Sequence, residues 1–155
     1  MPAAGLVVLC IGNDLRGDDG AGPLVAAALC DRFPGRVFDG GQAPESFLGP
    51  IRRARPGSVV IVDAADFGAA PGEVRVFSAT EAASAAPGIA SLLGTHAPPL
   101  SILMELIAGE TGATAHLVAI QAGTTAFGAA MTAEVAAAAR SLVDELAILL
   151  KEDEP

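Results

Sequence analysis

The run LVVLCIGNDLRGDDGAGPLVAAALCDRF, residues 6–33, decides the fold. Its first six residues, LVVLCI, are continuously apolar and rich in β-branched side chains, the pattern of a strand buried on both faces. From Gly22 the stretch GPLVAAALCDRF reads as a helix stopped by Pro34 and Gly35. Between them GNDLRGDDGAG (12–22) sets Asp14, Asp18 and Asp19 among four glycines, where a strand hands over to a helix. Such a loop usually cradles a phosphate, because glycines let the backbone approach and the helix N-terminus is positive. This loop is net negative even with Arg16, and its spacing fits neither G-x-G-x-x-G nor G-x-x-x-x-G-K-[ST]. It suits a cation, or its acids serve to cap a helix.

Outward from this βα unit the alternation continues. RVFD (36–39) is a second strand, ESFLGPIRRAR (45–55) a helix broken at Pro50, and SVVIVDA (58–64) a buried strand. EVRVF (73–77) alternates polar and apolar residues, as an edge or antiparallel strand does. Residues 78–94, rich in Ala and Ser, read as one short helix and a loop. PPLSILMELIAG (98–109) is a Pro-started helix, HLVAI (116–120) a buried strand, and TAEVAAAARSLVDELAILL (132–150) a long amphipathic helix. Apolar strands alternating with helices predict an α/β domain whose mostly parallel sheet is covered on both faces. In such sheets ligands bind outside the carboxyl ends of the strands.

A chain of 155 residues is expected to form a single domain over 1–155, with the acidic end 151–155 as a frayed tail. Hydrophobic residues make up 52% and charged ones 17%, which excludes a disordered chain; the core must be aliphatic, since Trp and Tyr are absent. Net charge is −9, and the nine basic residues form no stripe, so nucleic acid is excluded as a partner. No apolar run reaches membrane-spanning length, and the N-terminal stretch lacks the basic segment of a signal peptide. Cys10 and Cys30 lack metal or redox spacing and are expected to be buried free thiols. These features predict a soluble cytoplasmic protein without membrane insertion.

The strand-end rule selects candidate residues. Asp19 follows the first strand, Asp63 ends SVVIVDA, and GGQAPE (40–45) follows the second strand. His96, in THAPPL just before a helix, could face the same rim, whereas His116 opens a strand. Two carboxylates and an imidazole form an O,O,N set suited to a divalent transition metal. Such a metal can polarise a carbonyl and activate water. The plainer alternatives are that Asp18 caps the following helix, that Asp14 is a turn residue, and that His96 is an ordinary loop residue. Asp63 resists the plain alternative, because a carboxylate directly after a buried strand is costly unless paired. An EF-hand fails on spacing, a nucleophile elbow G-x-S-x-G is absent, and a response-regulator receiver lacks its lysine, since Lys151 lies in the tail.

The ordered set LCIGNDLRGDDGAGPLVA, DGGQAPE, VVIVDAADFGAAPGEVRVF, THAPPL and VAIQ resembles the hydrogenase maturation endopeptidases, over about residues 6–145. Within them it looks most like the branch serving formate-hydrogenlyase-type [NiFe] hydrogenase. The resemblance implies a three-layer α/β sandwich with a twisted central sheet. It also implies an enzyme that removes a C-terminal extension from the [NiFe] hydrogenase large-subunit precursor once nickel is inserted. The family's catalytic and metal-contacting positions match Asp19, Asp63 and His96, and the nickel is supplied by the substrate rather than held permanently. Asp39, Gly40 and Gly41 match its D-G-G turn, and Gln121 a glutamine after the last strand; these four are expected to bind substrate. Ala122 departs from the proline common there, and TTAFGAAMT (124–132) is only loosely similar. Nickel as Lewis acid and nickel as recognition tag both remain open at this point, as does a non-cleaving relative that senses nickel or escorts the precursor.

Overall fold

The computed structural model describes residues 5–84 and 99–154. Among these, β1 (Leu6–Ile11), β2 (Val37–Gly41), β3 (Ser58–Ala65), β4 (Val74–Ser78) and β5 (Thr114–Gln121) form one sheet in the order β2-β1-β3-β5-β4. The four strands β2, β1, β3 and β5 run parallel, and β4 is an antiparallel edge against β5. Alternate side chains of a strand point to opposite faces, so a strand covered on both sides must be apolar throughout. Val8, Cys10, Val62 and Ile120 accordingly pack against α1 (Ala21–Leu29) and α5 (Ala133–Glu152). Val7, Leu9, Ile61 and Leu117 pack on the other face against α2 (Leu48–Ala54) and α4 (Leu100–Thr111), with α3 (Ala79–Ser84) adding Ala82. The result is a three-layer α/β sandwich. The alternating stretch EVRVF becomes the one-sided edge, with Val74 and Val76 exposed.

Several boundaries differ from the sequence pattern for local reasons. Helix α1 stops at Leu29, after which Arg32 and Phe33 donate their N–H groups back to the Leu29 carbonyl and close a tight turn. Pro50 does not break a helix. A 3-10 turn at Pro44–Phe47 leads into α2, and Pro50 falls in the first turn of α2, where its missing N–H removes no hydrogen bond within α2. Lys151 and Glu152, expected in a frayed tail, continue α5. Beyond them Asp153 lies 3.7 Å from Arg36, which also donates to the carbonyls of Leu150 (2.9 Å) and Leu6 (3.3 Å). Of the helix and loop expected over 78–94, α3 covers Ala79–Ser84, and 85–94 lie outside the described residues. No helix among the described residues is long and apolar enough to cross a membrane.

Because β1, β3 and β5 are parallel, their carboxyl ends share one rim of the sheet. Asp63, Gln121 and the acidic loop all lie there. The antiparallel β4 begins at this rim, since Val74 pairs with Ile120.

Candidate functional site

The acidic loop folds back on the end of β1 because two glycines leave room. Gly12 adopts φ +146° and lies against the Asp19 carbonyl, and Gly22 at the start of α1 lies against the Ile11 carbonyl; a Cβ at either would collide with backbone. Asn13 donates its N–H to both the carbonyl and Oδ2 of Asp19, each at 3.1 Å. Residues Gly17–Gly20 then form a 3-10 turn that buries Asp18 and Asp19 side by side.

These neighbouring acids have opposite environments. Asp18 accepts from four donors: the N–H groups of Gly123 (2.7 Å), Thr124 (3.1 Å) and Thr132 (2.7 Å), and the Thr132 hydroxyl, which lies 3.0 Å from each carboxylate oxygen. Burial alone would raise its pKa, but the donors from Thr132, Gly123 and Thr124 outweigh burial and hold it below the ordinary carboxylate value. Asp18 is structural, though it does not cap α1, whose N-cap carries no side-chain hydrogen bond. It instead pins the loop after β5 to the acidic turn and braces Thr132, the N-cap of α5. Both of its oxygens receive backbone N–H groups, so an amide in either orientation sets donor against donor. Asp18→Asn should therefore lose roughly 2–4 kcal/mol of unfolding free energy in a urea titration; a loss near zero would show that the clamp carries no stability.

Asp19 and Asp63 are 2% and 1% exposed, and on each one carboxylate oxygen, Oδ1, is buried without a hydrogen-bond partner. Burial pushes Asp19 up to about 6, against the pull of the Asn13 N–H and the Arg16 charge. Burial pushes Asp63 well above the carboxylate range, the nearby Asp19 charge adds to this, and the Ala64 backbone N–H only partly offsets it. A dry pair of acids with unused lone pairs is unfavourable in the free protein and complementary to a cation. Their donor set fits a divalent metal brought to the rim.

His96 lies outside the described residues. Helix α4 packs on the face of the sheet that Asp63 faces and leads into β5. Among the described residues no three His, Cys, Asp or Glu side chains converge into a metal cluster. Asp39 is exposed in the middle of β2, paired in register with Cys10. Gly40 and Gly41 belong to β2 rather than to a turn. A Cβ on Gly40 would press on Leu9 (2.9 Å) and the Cys10 carbonyl (3.0 Å), while Gly41, at φ +52°, faces open space where an extended chain could approach.

Gln121 is fully engaged by its own chain. Its carbonyl accepts from Phe67 (2.9 Å) and Ala69 (3.2 Å), and its amide donates to Asp66 (3.2 Å) and the Ala122 carbonyl (3.0 Å). It orders the β3–β4 loop beside Asp63. His116 sits half-buried in β5, opposite Ser78. Sequence reasoning missed Thr132, although a threonine just before an amphipathic helix is a cap signature; nothing local tied it to Asp18.

The family profile described as hydrogenase maturation protease matches residues 25–148. The hydrogenase 3 maturation protease of Escherichia coli (strain K12) is 40% identical over 108 residues, 68% of this chain. That match spans 66% of the curated relative's length. The crystal structure of the [NiFe] hydrogenase maturation protease HycI from Thermococcus kodakarensis KOD1 superposes with a TM-score of 0.79 at 32% identity, covering 96% of this chain and 93% of that one. The solution structure of the endopeptidase HycI from Escherichia coli gives 0.75 at 36% identity, covering 92% and 88%.

Proposed function

This chain belongs to the hydrogenase maturation protease family, and from that premise we propose that it is the endopeptidase that removes a C-terminal extension from a [NiFe] hydrogenase large-subunit precursor after nickel insertion. The observation that carries the proposal is the Asp19–Asp63 pair, two buried carboxylates each with an unpartnered oxygen at the rim of the sheet. The nickel is part of the substrate. Asp19 and Asp63 meet it through those oxygens, and His96 is the third ligand. In the free protein Asp63 holds a proton because burial and Asp19 oppose its charge; the arriving cation displaces that proton and turns an unfavourable pair into a binding site. With the metal seated, the scissile peptide lies across the rim beside Gly41, where the absent side chain leaves the extended tail room. Water then adds to the scissile carbonyl and the tail departs as an amine. Gln121 acts here through the loop that it orders, and Asp39 flanks the path of the tail. The free thiols Cys10 and Cys30 suit a reducing compartment, which supports a cytoplasmic setting for the reaction.

Intact-mass measurement of nickel-loaded cognate precursor after incubation with the protein tests this. A single product lighter by one C-terminal segment is expected. An unchanged mass alongside a stable complex would make the protein a binding factor and overturn the proposal.

A further inference from the structure

We infer that Asp66 is a further catalytic residue: fixed through one oxygen by Gln121, it takes up through the other the proton of the water that adds to the scissile carbonyl. The inference deepens the function proposed above and rests on it. Asp66 follows directly on β3, at the rim where Asp63 lies, and is exposed. Its two oxygens differ. Oδ1 accepts the Gly68 N–H (3.1 Å) and the Gln121 amide (3.2 Å), whereas Oδ2 accepts no hydrogen bond among the described residues.

Where Asp66 is held follows from Gln121. Ile61 and Ala65 of β3 and Leu117 and Ala119 of β5 face α2 and α4, so Asp63 and Gln121, at the same alternation, face them too. Asp63 is in register with Ala119 and Ala65 with Gln121, which puts Gln121 one pleat, roughly 7 Å, beyond Asp63 along the strands. The amide that reaches Asp66 therefore keeps this carboxylate on the face of Asp63. Asp39, also exposed, is in register with Cys10, which packs on the opposite face. Gln121 is 4% exposed, and its side-chain carbonyl already closes the loop through Phe67 and Ala69. The far end of the loop is tied by backbone, Gly72 N–H to the Gln121 carbonyl (2.9 Å) and Gln121 N–H to the Glu73 carbonyl (2.8 Å). The bond from the amide to Asp66 adds direction to a loop that is already closed.

The chemistry requires such an acid. Asp19 and Asp63 offer their unpartnered oxygens to the nickel, and a carboxylate that ligates a cation is a poor proton acceptor. The adding water must still lose a proton. Its O–H bond breaks as its oxygen bonds to the carbonyl carbon, and the proton passes to Oδ2 of Asp66. When the C–N bond then breaks, Asp66 returns that proton to the nitrogen of the departing tail, which leaves as an amine, and the carboxylate is restored.

Asp66→Asn retains an oxygen for the two donors and exchanges only Oδ2 for an NH2 group, so it should melt with wild type. With nickel-loaded precursor its kcat should fall about 10²- to 10³-fold while KM stays within about 3-fold. Asp66→Ala should lose as much, and added formate, a small carboxylate, should restore its kcat at least about 10-fold while leaving wild type and Asp66→Asn unchanged. Glu73→Gln, an exposed acid at the far end of the same loop, should cut within about 2-fold of wild type. A wild-type kcat in Asp66→Asn would overturn the role and leave the protease standing. Loss in both variants without any response to formate would reduce Asp66 to a part of the loop and overturn it as well. A wild type that binds loaded precursor without cutting it would overturn the proposed function, and the proton acceptor with it.

Discussion

On the proposed function, Asp63→Asn should abolish cleavage of nickel-loaded precursor and at the same time make the free protein more stable. Removal of one of two anionic ligands from a dry site should slow processing on the order of 10³-fold, the scale of several kcal/mol that a positioned metal contributes to a transition state. The stability gain follows from linkage. Asp19, with a folded pKa of about 6, binds its proton more tightly folded than unfolded, and Asp63 is raised in the same direction. Stability from such groups is fully present below the unfolded carboxylate value and is lost as pH rises through the folded one. The wild type should thus melt higher near pH 5 than near pH 8. Asp63→Asn should melt roughly 5 °C above wild type at pH 8, with the gap closing as pH falls toward about 4, since about 1 kcal/mol moves a domain of this size by a few degrees. A variant less stable than wild type at pH 8 would show that the carboxylate is satisfied in the free fold.

Precursor lacking nickel should remain uncut even at high enzyme concentration, its rate at least about 10³-fold below that of loaded precursor. Without a cation the acid pair repels itself and keeps a proton, so nothing holds the scissile peptide in place. On the proposed function the ion arrives on the chain to be cut, so free Ni²⁺ should not turn the enzyme into a general protease. His96→Ala should abolish processing of loaded precursor and leave the circular dichroism spectrum unchanged. On the proposed function the cation displaces protons from the pair, so kcat/KM should climb with pH through about 6, the value to which burial raises Asp19. Rapid cutting of nickel-free precursor would reject the gate, and full activity of His96→Ala would remove the histidine from it.

The sequence made the layered architecture legible because each feature is local. The short Val- and Ile-rich runs at 6–11 and 59–62 read as strands covered on both faces, and the alternation at 73–77 identifies the antiparallel edge. The strand-end rule likewise selects Asp19 and Asp63, which the fold places close enough for the Asp19 charge to oppose ionisation of Asp63. What escaped depends on contacts distant in the chain. Asp18 meets Gly123 and Thr132 across more than a hundred residues, so no spacing rule could tell a helix cap from a clamp. Gln121 looks like a substrate contact at a strand end, yet its partners are Phe67 and Ala69, more than fifty residues earlier. Gly40 and Gly41 read as a turn, but pairing with β1 extends β2 through them.

The adjacency of Asp18 and Asp19 has a consequence for heredity. One position is held by the fold and the other works against it, so selection acts on them through different properties of the organism. A library of variants sorted only by cellular abundance should purge changes at 18 and tolerate or enrich neutral replacements at 19 and 63. The same library sorted by hydrogenase activity should purge all three. In a lineage that loses its hydrogenase, drift should therefore erase Asp63 and Asp19 first and keep Asp18 for as long as the protein folds. The order of decay then becomes a record of which acid served the substrate and which served the chain.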